Sequence, residues 1–340
     1  MHYHLRYSIS CCSYVTAFLF CSSFPNCVGQ PYHTAYLKGS NPAIYSSCNL
    51  SLVFSIVAWR SRYFTYFWGA SGDFAQNCWD VVYEAFGSNE FALAVWGTFL
   101  FTSSLYWILG LCYSLIDWTG RPASALKYKI QSNASFQVPF GKVIQVVLFN
   151  QIFVGIPFFI LAYYLLNWRG YDSGKDLPPF WRIVLEVAFC VLMAEIGFYY
   201  SHRLLHHRRI YKHIHKMHHE WTSPTAISAM YCHPVEHLVS NLMSVLLGPL
   251  LLGSHMFTSW LWFSLIVFNT LNSHCGFHFP FLPSPENHDF HHLNLNENYG
   301  GLGILDKFHG TDSEFLKSKA SQRHFLSTSF VPVKQLYPDS

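Results

Sequence analysis

The chain alternates long uncharged apolar stretches with short basic connections. Phe91 to Trp118 carries no charge until Asp117, and a helix needs about 20 apolar residues to cross a bilayer. Val143–Leu166 and Trp181–Tyr200 repeat the pattern, the last with Glu186 and Glu195 inside it. A fourth stretch, Leu238–Asn272, is broken at Gly248-Pro249 and at Gly253-Ser254-His255. Two full crossings would take about 40 residues, so this stretch reads as a short helical hairpin that enters and returns to one face. The pattern predicts an all-α fold, an integral membrane helical bundle. It divides into a poorly defined segment 1–66, transmembrane helices and connections over 67–201, a histidine-rich region 202–312 with the hairpin 238–272 embedded in it, and a tail 313–340. Residues 1–30 are apolar and rich in Ser and Cys, and no function is assigned to them; Leu50–Trp59 is too short for a span.

Composition sharpens this. Of 340 residues, 51% are hydrophobic and 11% charged, against about 25% charged in a soluble domain. That excludes a disordered chain and an ordinary cytosolic enzyme. The net charge of +3 is too small to argue for nucleic acid. No CxxC pair occurs among the ten cysteines, and the later ones read as packing residues. Lys and Arg concentrate in Thr119–Lys142 and in His202–His219. The positive-inside rule places both segments, and the histidines, in the cytosol. The sequon Asn133-Ala-Ser135 would then stay bare.

Histidine carries the chemistry. None of the twenty lies between His33 and His202, and sixteen fall from His202 to His309. Four clusters stand out: His202/His206, His215/His218/His219, His274/His278 and His288/His291/His292. Residues three and four apart share a helix face, so each cluster should point its imidazoles one way. Ten nitrogens suit two metal ions with about five ligands each, since a catalytic zinc needs only three. Neutral imidazole suits iron, copper, zinc and nickel. An all-imidazole shell leaves the metal charge uncompensated, which favours a strongly oxidising centre able to attack an unactivated C–H bond. His233, His237, Asp289 and Glu195 are candidates to orient those ligands from behind. Among the aromatics, Phe198, Tyr199, Tyr200, Trp221, Tyr231 and Phe277 are candidates to line a lipid slot. No HExxH, GxSxG or phosphate-loop pattern appears, so no catalytic residue beyond the metal ligands and no organic-cofactor site is assigned.

The stretch from Tyr199 to Asp312 resembles the fatty acid hydroxylase/sterol desaturase superfamily, and within it the sterol C4-methyl oxidase branch. The resemblance rests on His202-Arg-Leu-Leu-His206-His207, Tyr211-Lys212, Ile214 to Glu220, His233-Pro234, Gly248-Pro249, His274 to His278, His288 to His292, Tyr299-Gly300, Leu305-Asp306 and Gly310-Thr311. A looser similarity starts near Phe67-Trp68-Gly69-Ala70. The resemblance implies a multi-pass protein of the endoplasmic reticulum membrane with its site facing the cytosol. It also implies two iron ions, O2 as co-substrate, and electrons from NAD(P)H through cytochrome b5 or a similar donor. The implied reaction is oxidation of the C4-methyl group of a sterol. Fatty-acyl or sphingolipid hydroxylation, sterol desaturation, and a non-catalytic regulatory role in the membrane are the alternatives.

Overall fold

The structure, a computed structural model, describes Gly69, residues 71–131 and residues 138–339. The N-terminal segment 1–66, most of the Phe67–Ala70 run and the Asn133 sequon lie outside the described residues. Helix α1 covers 71–85. It is followed by α2 (Glu90–Thr119), α3 (Phe140–Arg169), α4 (Phe180–Leu205), α5 (Pro234–Leu252), α6 (Met256–His274) and the short α7 (Glu286–Asn294). No strand forms among the described residues, only one isolated bridge between Lys129 and Phe277. The all-α reading stands.

Helices α2 to α5 are each long and apolar enough to cross a membrane. Their outward surfaces agree. Leu100, Ile108, Phe153, Leu161, Leu185 and Leu192 are all exposed, a load of apolar surface that only lipid can cover. Trp118 sits at one end of the bundle, and Trp168 and Trp181 at the other, all well exposed, as side chains at the two membrane–water interfaces do. The chain is a multi-pass membrane protein.

The stretch read as a short hairpin over 238–272 folds as two arms, α5 and α6, of 19 residues each. Each is about 28 Å long at 1.5 Å per residue. Their joint, Gly253-Ser254-His255, packs on the connection between α3 and α4. Met256 N–H donates to the Asp172 carbonyl at 2.9 Å, and His255 Nε2 lies 3.1 Å from the Gly174 carbonyl. That connection precedes Phe180, whereas His202 is at the other end of α4. The hairpin therefore runs the depth of the bundle. The length arithmetic fell short because α5 begins inside the polar run Cys232 to His237, and α6 continues to His274.

Close approach makes the packing possible. A Cβ on Gly248 of α5 would stand 2.6 Å from Cys190 Cα on α4. Conversely, α2, α3 and α5 each contain a π-helical segment, Leu93–Gly97, Asn150–Gly155 and His237–Met243. All three border one interior cavity, as π-bulges often do at functional sites. The apolar core lies on either side of that cavity. One cluster, with Trp221, Ile227, Tyr231 and Phe277, supports the histidine end; another, with Trp79, Phe158 and Met256, closes the opposite end.

Candidate metal centre

The long helices deliver histidines to one end of the bundle. His202 and His206 come from the last turn of α4 and its cap, and His274 from the last residue of α6. A 3-10 turn, His215–Glu220, supplies three more, and α7 supplies His288, His291 and His292. Nine imidazoles converge in two groups. The first is His202, His206, His215, His219 and His291; the second is His218, His274, His288 and His292. Within each group one nitrogen per ring lies within 4.8 Å of all the others. Each HxxHH run serves both groups, the i,i+4 pair going to one and the middle histidine to the other. Adjacent helical residues point about 100° apart, which is what lets one short run bridge two sites.

His278 is not brought into either group. Its Nε2 lies 3.1 Å from the Phe325 carbonyl and its Nδ1 3.5 Å from Glu286 Oε1. Helix α6 stops at His274, and Gly276 turns the chain at φ +73°. The i,i+4 spacing therefore has no helix to act through.

The hydrogen bonds around the rings decide what the groups are for. Nδ1 of His202, His218, His274, His291 and His292 faces a backbone carbonyl, of Tyr299, Tyr231, Thr270, Glu297 and Trp221, at 2.6–3.3 Å. A carbonyl only accepts, so each Nδ1 carries the proton and each Nε2 presents a lone pair. His215 Nδ1 lies 2.8 Å from Glu236 Oε2, both buried. Yet the Nε2 atoms of His202 and His215 are 3.0 Å apart, and those of His218 and His274 3.3 Å. Such Nε2–Nε2 contacts, two in the first group and three in the second, span 2.9–3.3 Å, and nitrogens facing at that range suit ligands that share a cation. His206 Nε2 and His291 Nε2 are buried with no protein partner among the described residues, as unliganded metal ligands would be. Burial also holds the rings neutral. The His218 pKa is lowered to about 4 by desolvation, against the pull of the Tyr231 carbonyl. Burial, reinforced by neighbouring imidazoles, pushes His215, His288, His291 and His292 well below the usual value. Neutral imidazole is the form that binds metal.

The other candidates fall outside the groups. His233 caps α5, with Nδ1 accepting from Val235 N–H at 3.2 Å. His237 is buried on the cavity wall, its Nδ1 3.5 Å from Asn241 Nδ2. Asp289 does not reach an imidazole: both its oxygens accept from Gln131 Nε2, at 3.1 and 3.0 Å. Desolvation raises its pKa to about 7, opposed by Gln131. Glu195 accepts backbone N–H bonds from Leu302, Ile304 and Leu305. The carboxylate that does stand behind a clustered imidazole is Glu236, which the sequence reading left without a role; its signal was the i,i+3 spacing from His233 at the head of an apolar run.

A cavity of about 550 Å³ opens beneath the two groups, within the 300–1,000 Å³ common for small-molecule sites. His202, His215, His218, His274 and His288 form its roof, and Phe158, Leu166, Met256 and Trp262 line it deeper in the bundle. Of the six aromatics read as its lining, only Phe198 is there; Trp221, Tyr231 and Phe277 pack in the apolar cluster that supports the histidine end instead.

Fold and site together define a multi-pass membrane protein that carries two histidine groups fit for metal above an apolar cavity. The chain belongs to the fatty acid hydroxylase family, an oxidoreductase family, whose model matches residues 187–311. It is 41% identical over 315 residues to human fatty acid hydroxylase domain-containing protein 2, covering 92% of each chain. It is 34% identical to the very-long-chain aldehyde decarbonylase GL1-8 of Oryza sativa subsp. indica, over 72% of this chain and 94% of that one. To methylsterol monooxygenase 2-1 of Arabidopsis thaliana it is 32% identical, over 68% and 93%. The resemblance read from the motifs is borne out. No solved structure matches the chain.

Proposed function

We propose that the chain is a di-iron oxygenase that uses O2 to oxidise a C–H bond of a membrane lipid, the C4-methyl group of a sterol. The observation that carries this reading is the pairing of Nε2 lone pairs in each histidine group directly above the cavity. His202, His206, His215, His219 and His291 would hold one iron and His218, His274, His288 and His292 the other. Two irons there would supply the oxidising power that an unactivated C–H bond demands. Four ligands in the second group leave room for a further one, the arrangement catalytic metals use. The protein's share is to keep every ligand neutral, to exclude water with its apolar walls, and to hold the lipid with its reactive carbon under the histidines.

Oxygenation also needs two electrons, which we assign to NAD(P)H through a cytochrome b5-type donor, and two protons, which solvent supplies. We assign the histidine end to the cytosol and the chain to the endoplasmic reticulum membrane; the exposed Arg208, Arg209, Lys212 and Lys216 beside the first group support the cytosolic side by the positive-inside rule. The sterol reading is supported by the methylsterol monooxygenase, matched over nearly its whole length. A second reading, hydroxylation of an acyl chain, draws on the cavity's depth. Its wall follows α6 from Met256 to His274, about 27 Å at 1.5 Å per residue, enough for an extended chain.

The deciding experiment is a sterol and acyl-lipid profile of cells with the protein, without it, and with a His218→Ala/His291→Ala form. Accumulation of 4-methyl sterols, reversed only by the intact chain, is the expected result. A change confined to hydroxylated acyl lipids selects the second reading. Full rescue by the doubly substituted form would remove both and leave a non-catalytic role.

A further inference from the structure

Two buried carboxylates that touch no histidine meet on the far side of one short loop. Glu195 lies in the middle of α4, where an ionisable group inside a membrane span needs a specific reason. Its oxygens accept from Leu302 N–H at 2.8 Å, Ile304 N–H at 3.2 Å and Leu305 N–H at 3.4 Å. The last two are the first amides of the short helix Ile304–His309, donors that have no partner within that helix. Asp306, on that helix, accepts from Tyr299 N–H at 2.8 Å, Gly300 N–H at 2.7 Å and the Thr311 hydroxyl at 2.7 Å. The two side chains bracket Gly300 so closely that a Cβ there would stand 2.7 Å from Glu195 Oε1 and 2.8 Å from Asp306 Oδ2. Six donors thus fix one turn of backbone. The product of that fixation is the Tyr299 carbonyl, held 2.7 Å from His202 Nδ1. The Tyr299 ring also packs against His206 and His291, with centroids 5.1 and 5.9 Å away. Three of the five imidazoles of the first group are therefore oriented by this loop, whereas no contact of Tyr299 with the second group is seen among the described residues.

We propose that Glu195, Asp306 and Gly300 form a clamp that positions the five-histidine group alone, with Glu195 and Asp306 as positioning residues for the metal held there. The inference rests on the metal reading above but not on the substrate. The clamp works by acceptor count: each carboxylate offers only acceptors to a set of converging donors, all N–H groups at Glu195 and two N–H groups with the Thr311 hydroxyl at Asp306. An amide in the same place must turn an NH2 toward one of them and release the loop.

The test uses the full chain purified in detergent, stripped and titrated with Fe(II) without oxygen, with metal counted per chain and the iron sites resolved by Mössbauer spectroscopy. In Glu195→Gln and Asp306→Asn, one of the two irons should bind 10–100-fold more weakly, as loss of an outer carboxylate typically causes. The signal of the other iron should stay unchanged. Asp306→Glu should recover part of the loss, and Gly300→Ala should reproduce it. His274→Ala, which strikes the other group, should remove the complementary signal. Two irons bound with native affinity in both amide variants would overturn the clamp. So would equal loss of both irons in folded, monodisperse protein, because the effect would then be general rather than confined to one group. A wild-type chain that takes up no iron would instead refute the metal reading itself.

Discussion

At the scale of single residues, the centre depends on which nitrogen of each ring holds the proton. Five histidines have that choice made by a backbone carbonyl, a partner that no substitution of side chain removes. His215 is different: its Nδ1 meets a carboxylate, Glu236, 2.8 Å away. The two atoms lie within ion-pair distance without the alignment of a hydrogen bond; a carboxylate that engages a metal-bound imidazole raises its basicity, and losing one costs about 10–100-fold in metal affinity or activity. Glu236→Gln should weaken metal binding within that range while leaving the fold intact, a loss that metal titration alongside a melting curve would separate from unfolding. Proton uptake gives a second expectation. His218 has a folded pKa near 4 against about 6.5 in an unfolded chain. Between those values the unfolded chain binds more protons, so stability rises with pH through this window and falls as the solution is acidified. The stripped protein should lose melting temperature from pH 6.5 down to pH 4, with little change above pH 7.

The elements explain both what could be read from the sequence and what could not. The apolar runs located every long helix, because a bilayer demands an uncharged stretch of fixed length whatever it packs against. Nine histidines were legible as clustered because short spacings keep their rings at one end of the bundle, although the HxxHH runs do not point all their imidazoles one way. His278 was not, because its spacing spans the end of α6 and the turn at Gly276, and spacing alone does not show where a helix stops. Nor does spacing show that an HxxHH run divides between two groups. The full depth of the α5–α6 hairpin was hidden by polar residues at the start of α5, which look like a connection but face the cavity. The contact that seats this hairpin is testable. Gly248→Ala places a methyl group 2.6 Å from the Cys190 backbone, and overpacking of this kind costs about 1–3 kcal/mol. The melting temperature in detergent should fall measurably. Gly141→Ala, where a Cβ meets nothing within 4 Å, should leave it unchanged or raise it slightly, since alanine is the better helix former.

For the whole molecule, the decisive asymmetry is between the two ends of the bundle. The long helix α4 separates them by about 39 Å over its 26 residues at 1.5 Å each. At the histidine end, Arg208, Arg209, Lys212 and Lys216 are exposed, with no ion pair among the described residues. At the opposite end, the connection after α3 mixes Arg169 and Lys175 with Asp172 and Asp176, and Lys175 is paired with Glu84 at 2.9 Å. An uncompensated cationic surface resists translocation, so the histidine end should remain on the side where the chain is synthesised. A cysteine placed at the exposed His213 should therefore react with a membrane-impermeant maleimide when the cell membrane alone is permeabilised. One placed at Lys175 should react only after the internal membranes are also opened, with peptide mapping distinguishing both from the native cysteines. The reverse pattern would put the metal groups in the lumen, away from cytosolic reductant. Labelling of both sites in the first step would mean that the hairpin and its neighbours do not cross the bilayer at all. The expected pattern would place the histidine groups and the basic surface on one side, so that lipid from the membrane and electrons from the cytosol meet at the same histidines.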